Sequence, residues 1–124
     1  MKTITILVEN ISLSAELNNS VTAQKIWDAL PFEGSANTWG DEIYFEIPVV
    51  IAKESDARVD VEVGELGYWP VGHAFCIFFG PTPVSSGVKP RAASPVNIFG
   101  QIIGNTTQLR TVPDGAKVLV KRAG

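Results

Sequence analysis

Hydrophobic and polar residues alternate through most of this chain, a pattern typical of β-strands that bury one face. The alternation is clear over residues 4–8, 11–17 and 43–47, and it recurs further along the chain between turn-forming residues. Glu9 and Asn10 separate the first two segments, which is the spacing of a tight hairpin turn in which asparagine tolerates positive φ. About eight short strands are therefore predicted.

One segment has a different period. Ala23, Ile26, Trp27 and Leu30 recur at the spacing of one helix face. Ser20 precedes them and is a natural N-cap, because its hydroxyl can accept a hydrogen bond from a free amide of the first turn. We expect one amphipathic helix of about ten residues, packed over the strands.

The 124 residues suit a single domain, 1–124. A β-rich chain of this size must hide its sheet edges, and closure into a barrel hides them completely. The predicted fold is mostly β: a closed antiparallel barrel of about eight strands with one capping helix. Residues 105–110 are expected to add a short second helical turn.

Composition excludes several classes of function. The net charge is −3 and no basic run is present, so a nucleic-acid partner is not expected. The single cysteine, Cys76, cannot form an intramolecular disulfide. No signal peptide or membrane-spanning run is visible, and a cytoplasmic protein is expected. The chain has no CxxC, HExxH or phosphate-binding glycine loop, so neither metal nor cofactor is predicted.

Aromatic residues cluster beside two glycine-containing turns. Trp39 and Tyr44 lie in "NTWGDEIYF", and Tyr68 and Trp69 lie in "GYWP". Each ring taken singly could equally belong to a core, but rings with polar tips also suit the wall of a binding groove. Asn37 and Thr38, next to Trp39, could add polar groups there or serve only the turn.

The run Phe75–Phe79 is apolar throughout, as in a strand buried on both faces. One face should point to the interior, and the other should lie under the helix, under a loop or in a surface pocket. The nearby carboxylates Asp41, Glu42 and Glu46 could serve acid–base chemistry, but such a strand face is more often solvated, and that is the expectation here.

Residues Pro81–Pro95 hold four of the eight prolines. This segment is predicted to be a long ordered loop, and long loops in compact domains are often functional.

The order of several motifs resembles the cyclophilins, which are prolyl isomerases. "TAQKIWDAL" at 22–30, the Phe78-Phe79 strand, the proline-rich loop, "IFGQI" at 98–102 and "TTQLR" follow as in that family. The longer patterns "NTWGDEIYF" and "GYWPVGHAFCIFFGPTP" resemble small bacterial and archaeal cyclophilin-like proteins of no settled function.

The resemblance implies a barrel with an outer groove for a small molecule or a proline-containing peptide. The predicted ligand-binding residues are Asn37, Thr38, Trp39, Tyr44, Tyr68, Trp69, Phe79 and Thr82. The catalytic arginine of the isomerases, in an "FHR" motif, has no counterpart, so no catalytic residue is assigned. Binding without efficient catalysis is the main hypothesis. A weak or altered prolyl isomerase and a homo-oligomer interface are the alternatives.

Overall fold

The computed structural model describes residues 2–123, and β-strands dominate them. The strands are β1 (Thr3–Val8), β2 (Ile11–Leu17), β3 (Phe32–Ser35), β4 (Asn37–Thr38), β5 (Glu42–Glu46), β6 (Arg58–Asp60), β7 (Glu65–Trp69), β8 (Ala74–Phe78), β9 (Arg91–Ile103) and β10 (Lys117–Arg122). The helix α1 spans Val21–Ala29, and two 3₁₀ segments span Pro70–Gly72 and Thr107–Thr111. The second of these stands where a short helical turn was predicted.

The sheet does not close into a barrel, so that part of the predicted fold is wrong. Its strands are hydrogen-bonded in the order β3-β10-β1-β2-β9-β7-β8-β5-β4, and β6 pairs separately with β9. All of these pairs are antiparallel. The two ends of the path, β3 and β4, are not paired with each other, and the sheet has ten strands rather than about eight.

The reason for the open path lies in the connection between β3 and β4. One residue, Ala36, joins them, whereas an antiparallel pair needs a loop of about two residues or more to turn back. The Ala36 amide donates to the Ala116 carbonyl at 2.7 Å, which keeps this point of the chain on the β10 side. The chain itself therefore connects the two edges, without ladder hydrogen bonds between them.

The strands differ from the sequence prediction in two places. The strands β3 and β4 carry no clear alternation, and they were not among the predicted strands. β9 begins at Arg91, so the predicted loop Pro81–Pro95 ends at Pro90. The last five residues of that segment belong to a strand.

The helix matches its prediction closely. The Ser20 hydroxyl caps it by accepting a hydrogen bond from the Ala23 amide at 3.1 Å. Ala23 and Ile26 are buried, and Trp27 is half-buried beneath the Arg122 guanidinium, 4.6 Å from the ring centroid. Within residues 2–123, no helix is long and apolar enough to cross a membrane.

The main core lies between α1 and the inner face of the sheet. Phe75 stands at its centre, with ring centroids 5.1 Å from Phe45 and 5.0 Å from Phe99. All three side chains are fully buried. Burial of rings of this size dominates the stability of a small core.

The first hairpin carries a strained residue. Glu9, not Asn10, adopts positive φ, at 53°. A side chain with a Cβ pays about 1 kcal/mol in this region, and glycine does not.

Replacing Glu9 by glycine is therefore expected to raise the free energy of unfolding by about 0.5–1 kcal/mol. Urea denaturation measures it. Glu33→Gly is the matched control, because Glu33 is an exposed glutamate within β3, where glycine should destabilise the protein. Equal losses in both variants would contradict the assignment of strain to Glu9.

Candidate functional site

A second, smaller hydrophobic cluster lies on the outer face of the sheet. Side chains alternate along β8, so that Phe75 and Ile77 join the main core while Cys76 and Phe78 join this outer cluster. The run 75–79 is thus buried on both faces, as predicted. The outer cluster consists of Val61, Ala74, Cys76, Phe78, Ala92 and Val96.

A pocket of about 240 Å³ opens beside the outer cluster. Its walls come from the β4–β5 turn, the strand β5, the end of β7 and the start of β9. The lining residues are Trp39, Glu42, Tyr44, Trp69, Ala92, Ala93 and Val96. Three of the seven are aromatic, and Glu42 is the single carboxyl group among them.

Trp69 is held in place by three neighbouring residues. Its indole Nε1 donates a hydrogen bond to the Ser94 hydroxyl at 2.6 Å, and its ring stands edge-on to Tyr44 with centroids 6.1 Å apart. Gly72 lies against the ring, since a Cβ there would come within 2.7 Å of the ring atom Cε3. This aromatic wall is therefore built before any ligand arrives.

The β4–β5 turn fixes the backbone of Trp39 and Glu42. The Trp39 amide donates to the Glu42 carbonyl at 3.0 Å, and the Glu42 amide donates to the Trp39 carbonyl at 3.2 Å. Gly40 between them has φ +61°, and a Cβ on it would lie 2.9 Å from the Thr82 Cα. Glycine alone fits this turn without strain.

Glu42 is the chemically unusual residue of the pocket. Glu42 is only 6% exposed, and it forms no ion pair within residues 2–123. Burial raises the pKa of Glu42 to about 7, and its interaction with the Cys76 thiol offsets part of that rise. The carboxyl is thus poised to gain or lose its proton near neutral pH.

Cys76 shares this environment without becoming reactive. It is fully buried on β8, opposite Tyr44 in the strand register. Burial first, and then the neighbouring Glu42 charge, raise the pKa of the Cys76 thiol well above its usual value. The thiol therefore stays protonated and acts as a small core group.

Of the predicted ligand-binding residues, Trp39, Tyr44 and Trp69 come together in this pocket. Tyr68 and Phe79 instead lie in the main core. The Tyr68 hydroxyl donates to the Val49 carbonyl at 2.6 Å and accepts from the Ile51 amide at 3.2 Å. It anchors the loop after β5 and does not line the pocket.

The three polar residues of the prediction also lie outside the lining. Asn37 donates through Nδ2 to the Tyr44 carbonyl at 3.2 Å, and the Thr38 amide donates to an Asp114 carboxylate oxygen at 2.9 Å. The Thr82 hydroxyl is buried and donates to the Arg91 carbonyl at 2.5 Å. All three are held by hydrogen bonds to other parts of the chain and do not line the pocket.

Four lining residues were missed: Glu42, Ala92, Ala93 and Val96. The alternation on β5 did place Glu42 on the same face as Tyr44, but that face was expected to be solvated. Only Glu46 at its far end is exposed. The alanines carry no signal of their own, and they lie in a segment predicted to be loop. Within residues 2–123, no group of three or more His, Cys, Asp or Glu side chains is placed to hold a metal ion.

Comparison with known proteins agrees with this architecture. The model of the Cyclophilin-like family matches residues 2–121. A similar solved structure is the solution structure of the hypothetical protein AF2241 from Archaeoglobus fulgidus. It is 42% identical, with a TM-score of 0.84, over 98% of this chain and 95% of that one. No curated protein gives a significant match. The chain belongs to the Cyclophilin-like family.

Proposed function

We propose that this protein binds a small molecule, or one side chain of a peptide, in the pocket between Trp39, Tyr44 and Trp69. It does so without efficient catalysis. The observation that carries the proposal is the preformed aromatic pocket at the junction of β5, β7 and β9. Concave, mostly apolar sites with a few polar groups are the usual form of small-molecule sites.

The size of the pocket limits its ligand. A dry cavity of about 150 Å³ is enough to bind benzene in a protein core. The pocket here, about 240 Å³, accommodates a group of one ring with a short substituent. An extended peptide would place a single side chain in it.

The chemistry of the lining supports binding over prolyl isomerisation. The isomerases that the sequence resembles use an arginine to polarise the prolyl amide, and the described lining residues include none. Arg91 precedes Ala92 on β9, but its guanidinium Nη1 lies 3.5 Å from the Asp60 carboxylate. An isomerisation assay on X–Pro peptides is expected to show no rate enhancement that depends on Trp69.

The test uses 2-phenylethanol as a neutral probe and the three tryptophan indole N–H signals as reporters in NMR spectra. The signals of Trp39 and Trp69 are expected to shift with a Kd on the order of 1 mM, as for a fragment of nine heavy atoms. Trp27, on α1, is the internal control because it lies outside the pocket.

A pocket-filling variant supplies the negative control. Ala93 is an exposed residue of the lining, and Ala93→Phe is expected to abolish the shifts. Ala123→Phe places the same ring at an exposed position outside the pocket and should leave binding intact. Shifts that survive in the Ala93→Phe protein would overturn the assignment of the site.

A further inference from the structure

Glu42 is a buried carboxyl group without a countercharge in an aromatic pocket. No lysine, arginine or histidine belongs to the described lining, and within residues 2–123 Glu42 forms no ion pair. Charged groups are rarely buried unless they are paired. A carboxyl retained here without a charged protein partner is available to pair with a ligand.

We propose that the pocket selects ligands that carry a protonated amine, with the Glu42 carboxylate as the partner of the ammonium group and the aromatic rings around its apolar part. This proposal rests on the proposed function, because it names the chemical class of ligand for the same pocket.

The alternatives fit the lining less well. An anion would meet no positive group there and would meet a carboxyl that ionises near neutrality. A neutral ligand could accept a hydrogen bond from protonated Glu42 or donate one to the carboxylate, but it brings no positive charge to balance the ionised form. A cation gains an ion pair in a poorly solvated site and attraction to the ring faces.

The ring arrangement suits this ligand. Trp39, Tyr44 and Trp69 all line the pocket, and tryptophan is the aromatic side chain that attracts cations most strongly. The Trp69 Nε1 donor is already occupied by Ser94. Its indole N–H is therefore not free to favour an anionic or carbonyl group in the pocket.

The other charged groups around Glu42 are paired with each other or exposed. Asp41 precedes β5, and Tyr44 and Glu46 lie on it. The elements packed against β5 and the pocket add Glu65 and Tyr68 on β7, Cys76 on β8, Arg91 on β9 and Lys89 in the loop before β9. Asp41 pairs with Arg110, Glu65 with Arg58, Arg91 with Asp60 and Lys89 with Glu62. Glu46 is exposed, and the Cys76 thiol stays neutral.

The sign of the pH dependence follows from linkage. A cation binds the ionised carboxyl. Its affinity is therefore highest above the pKa of Glu42 and falls tenfold for each pH unit below it. Burial raises the pKa of Glu42 to about 7. Affinity for an ammonium ligand at pH 5 is therefore expected to be about 100-fold lower than at pH 8.

The experiment compares 2-phenylethylammonium with 2-phenylethanol, which have the same shape apart from the polar group. The ammonium group has a pKa near that of lysine, about 10, so it stays charged between pH 5 and pH 8. Affinities are measured from the Trp39 and Trp69 indole signals. The variant Glu42→Gln tests the carboxylate, and Glu46→Gln is the matched control on the exposed end of the same strand face.

The expected result is that the wild-type protein and Glu46→Gln bind the ammonium at least tenfold more tightly than the alcohol at pH 8, and lose this preference by pH 5. Glu42→Gln should bind both probes equally at each pH. Equal binding of the two probes by the wild-type protein at pH 8 would overturn the inference and leave the pocket assignment standing. A preference for the ammonium that is undiminished at pH 5 would overturn it as well. Binding of neither probe would overturn the proposed function itself.

Discussion

Replacing Glu42 by glutamine is expected to raise the free energy of unfolding by about 3 kcal/mol at pH 9 and to change it little at pH 4. The reason is the cost of ionising a carboxyl inside an apolar pocket. Glutamine keeps the shape of the side chain and remains neutral at every pH.

The size and direction of this effect follow from the pKa of Glu42, which rises from 4.5 to about 7 on folding because the group is buried. Between these values the folded protein holds a proton that the unfolded chain has released. The wild-type protein therefore loses stability as the pH rises through this range, by about 1.4 kcal/mol for each unit of the shift. The cost stays constant above about pH 7.

Urea denaturation of both proteins at the two pH values measures the effect. Glu46→Gln is the control, since Glu46 lies on the same strand face and is exposed. Its stability should follow that of the wild-type protein. A Glu42→Gln protein no more stable than the wild type at pH 9 would mean that the carboxyl is solvated.

Replacing Asn97 by alanine is expected to lower the free energy of unfolding by about 3–5 kcal/mol. Asn97 is fully buried on β9. Its Oδ1 accepts from the Glu54 amide at 2.8 Å, and its Nδ2 donates to the Ala52 carbonyl at 3.0 Å and to the Thr22 hydroxyl at 3.1 Å. Alanine would leave the Glu54 amide and the Ala52 carbonyl without these partners and open a cavity beside them.

The predicted loss of stability is large because Asn97 connects three parts of the fold. Asn97 holds the loop after β5 to the sheet and to α1 at once. Asn19→Ala is the control, because Asn19 is exposed, and its substitution should change stability by less than about 0.5 kcal/mol. A loss below about 1 kcal/mol in Asn97→Ala would show that the loop is held by other contacts.

Much of the fold could be predicted from periodicity alone. Alternation located most strands, and the 3.6-residue period with Ser20 as cap located α1. The closed barrel could not be tested this way, because closure depends on whether β3 and β4 pair. These strands are too short to show a period, and one residue joins them.

The candidate site was predicted only in part. Trp39, Tyr44 and Trp69 have large rings with polar tips near turns, and the structure brings them together. Tyr68 has the same chemistry, but its position on β7 faces the main core, because neighbouring side chains of a strand point to opposite faces. The choice between Tyr68 and Trp69 depended on register, which the sequence alone left open.

The burial of Glu42 depends on contacts distant in sequence. Alternation places it beside Tyr44, on a face that is solvated in most antiparallel sheets. Here Ala92 and Val96, from the start of β9, build the other side of the pocket. No local pattern in the sequence predicts that residues fifty positions later cover this face.

The pKa of the Glu42 carboxyl, measured by NMR from its side-chain ¹³C shift as a function of pH, tests the central claim most directly. The Glu42→Gln spectrum assigns the signal. A buried group without a countercharge predicts a midpoint near 7. A midpoint near 4.5, as for a solvated glutamate, would contradict the buried carboxyl on which the site and its ligand class depend.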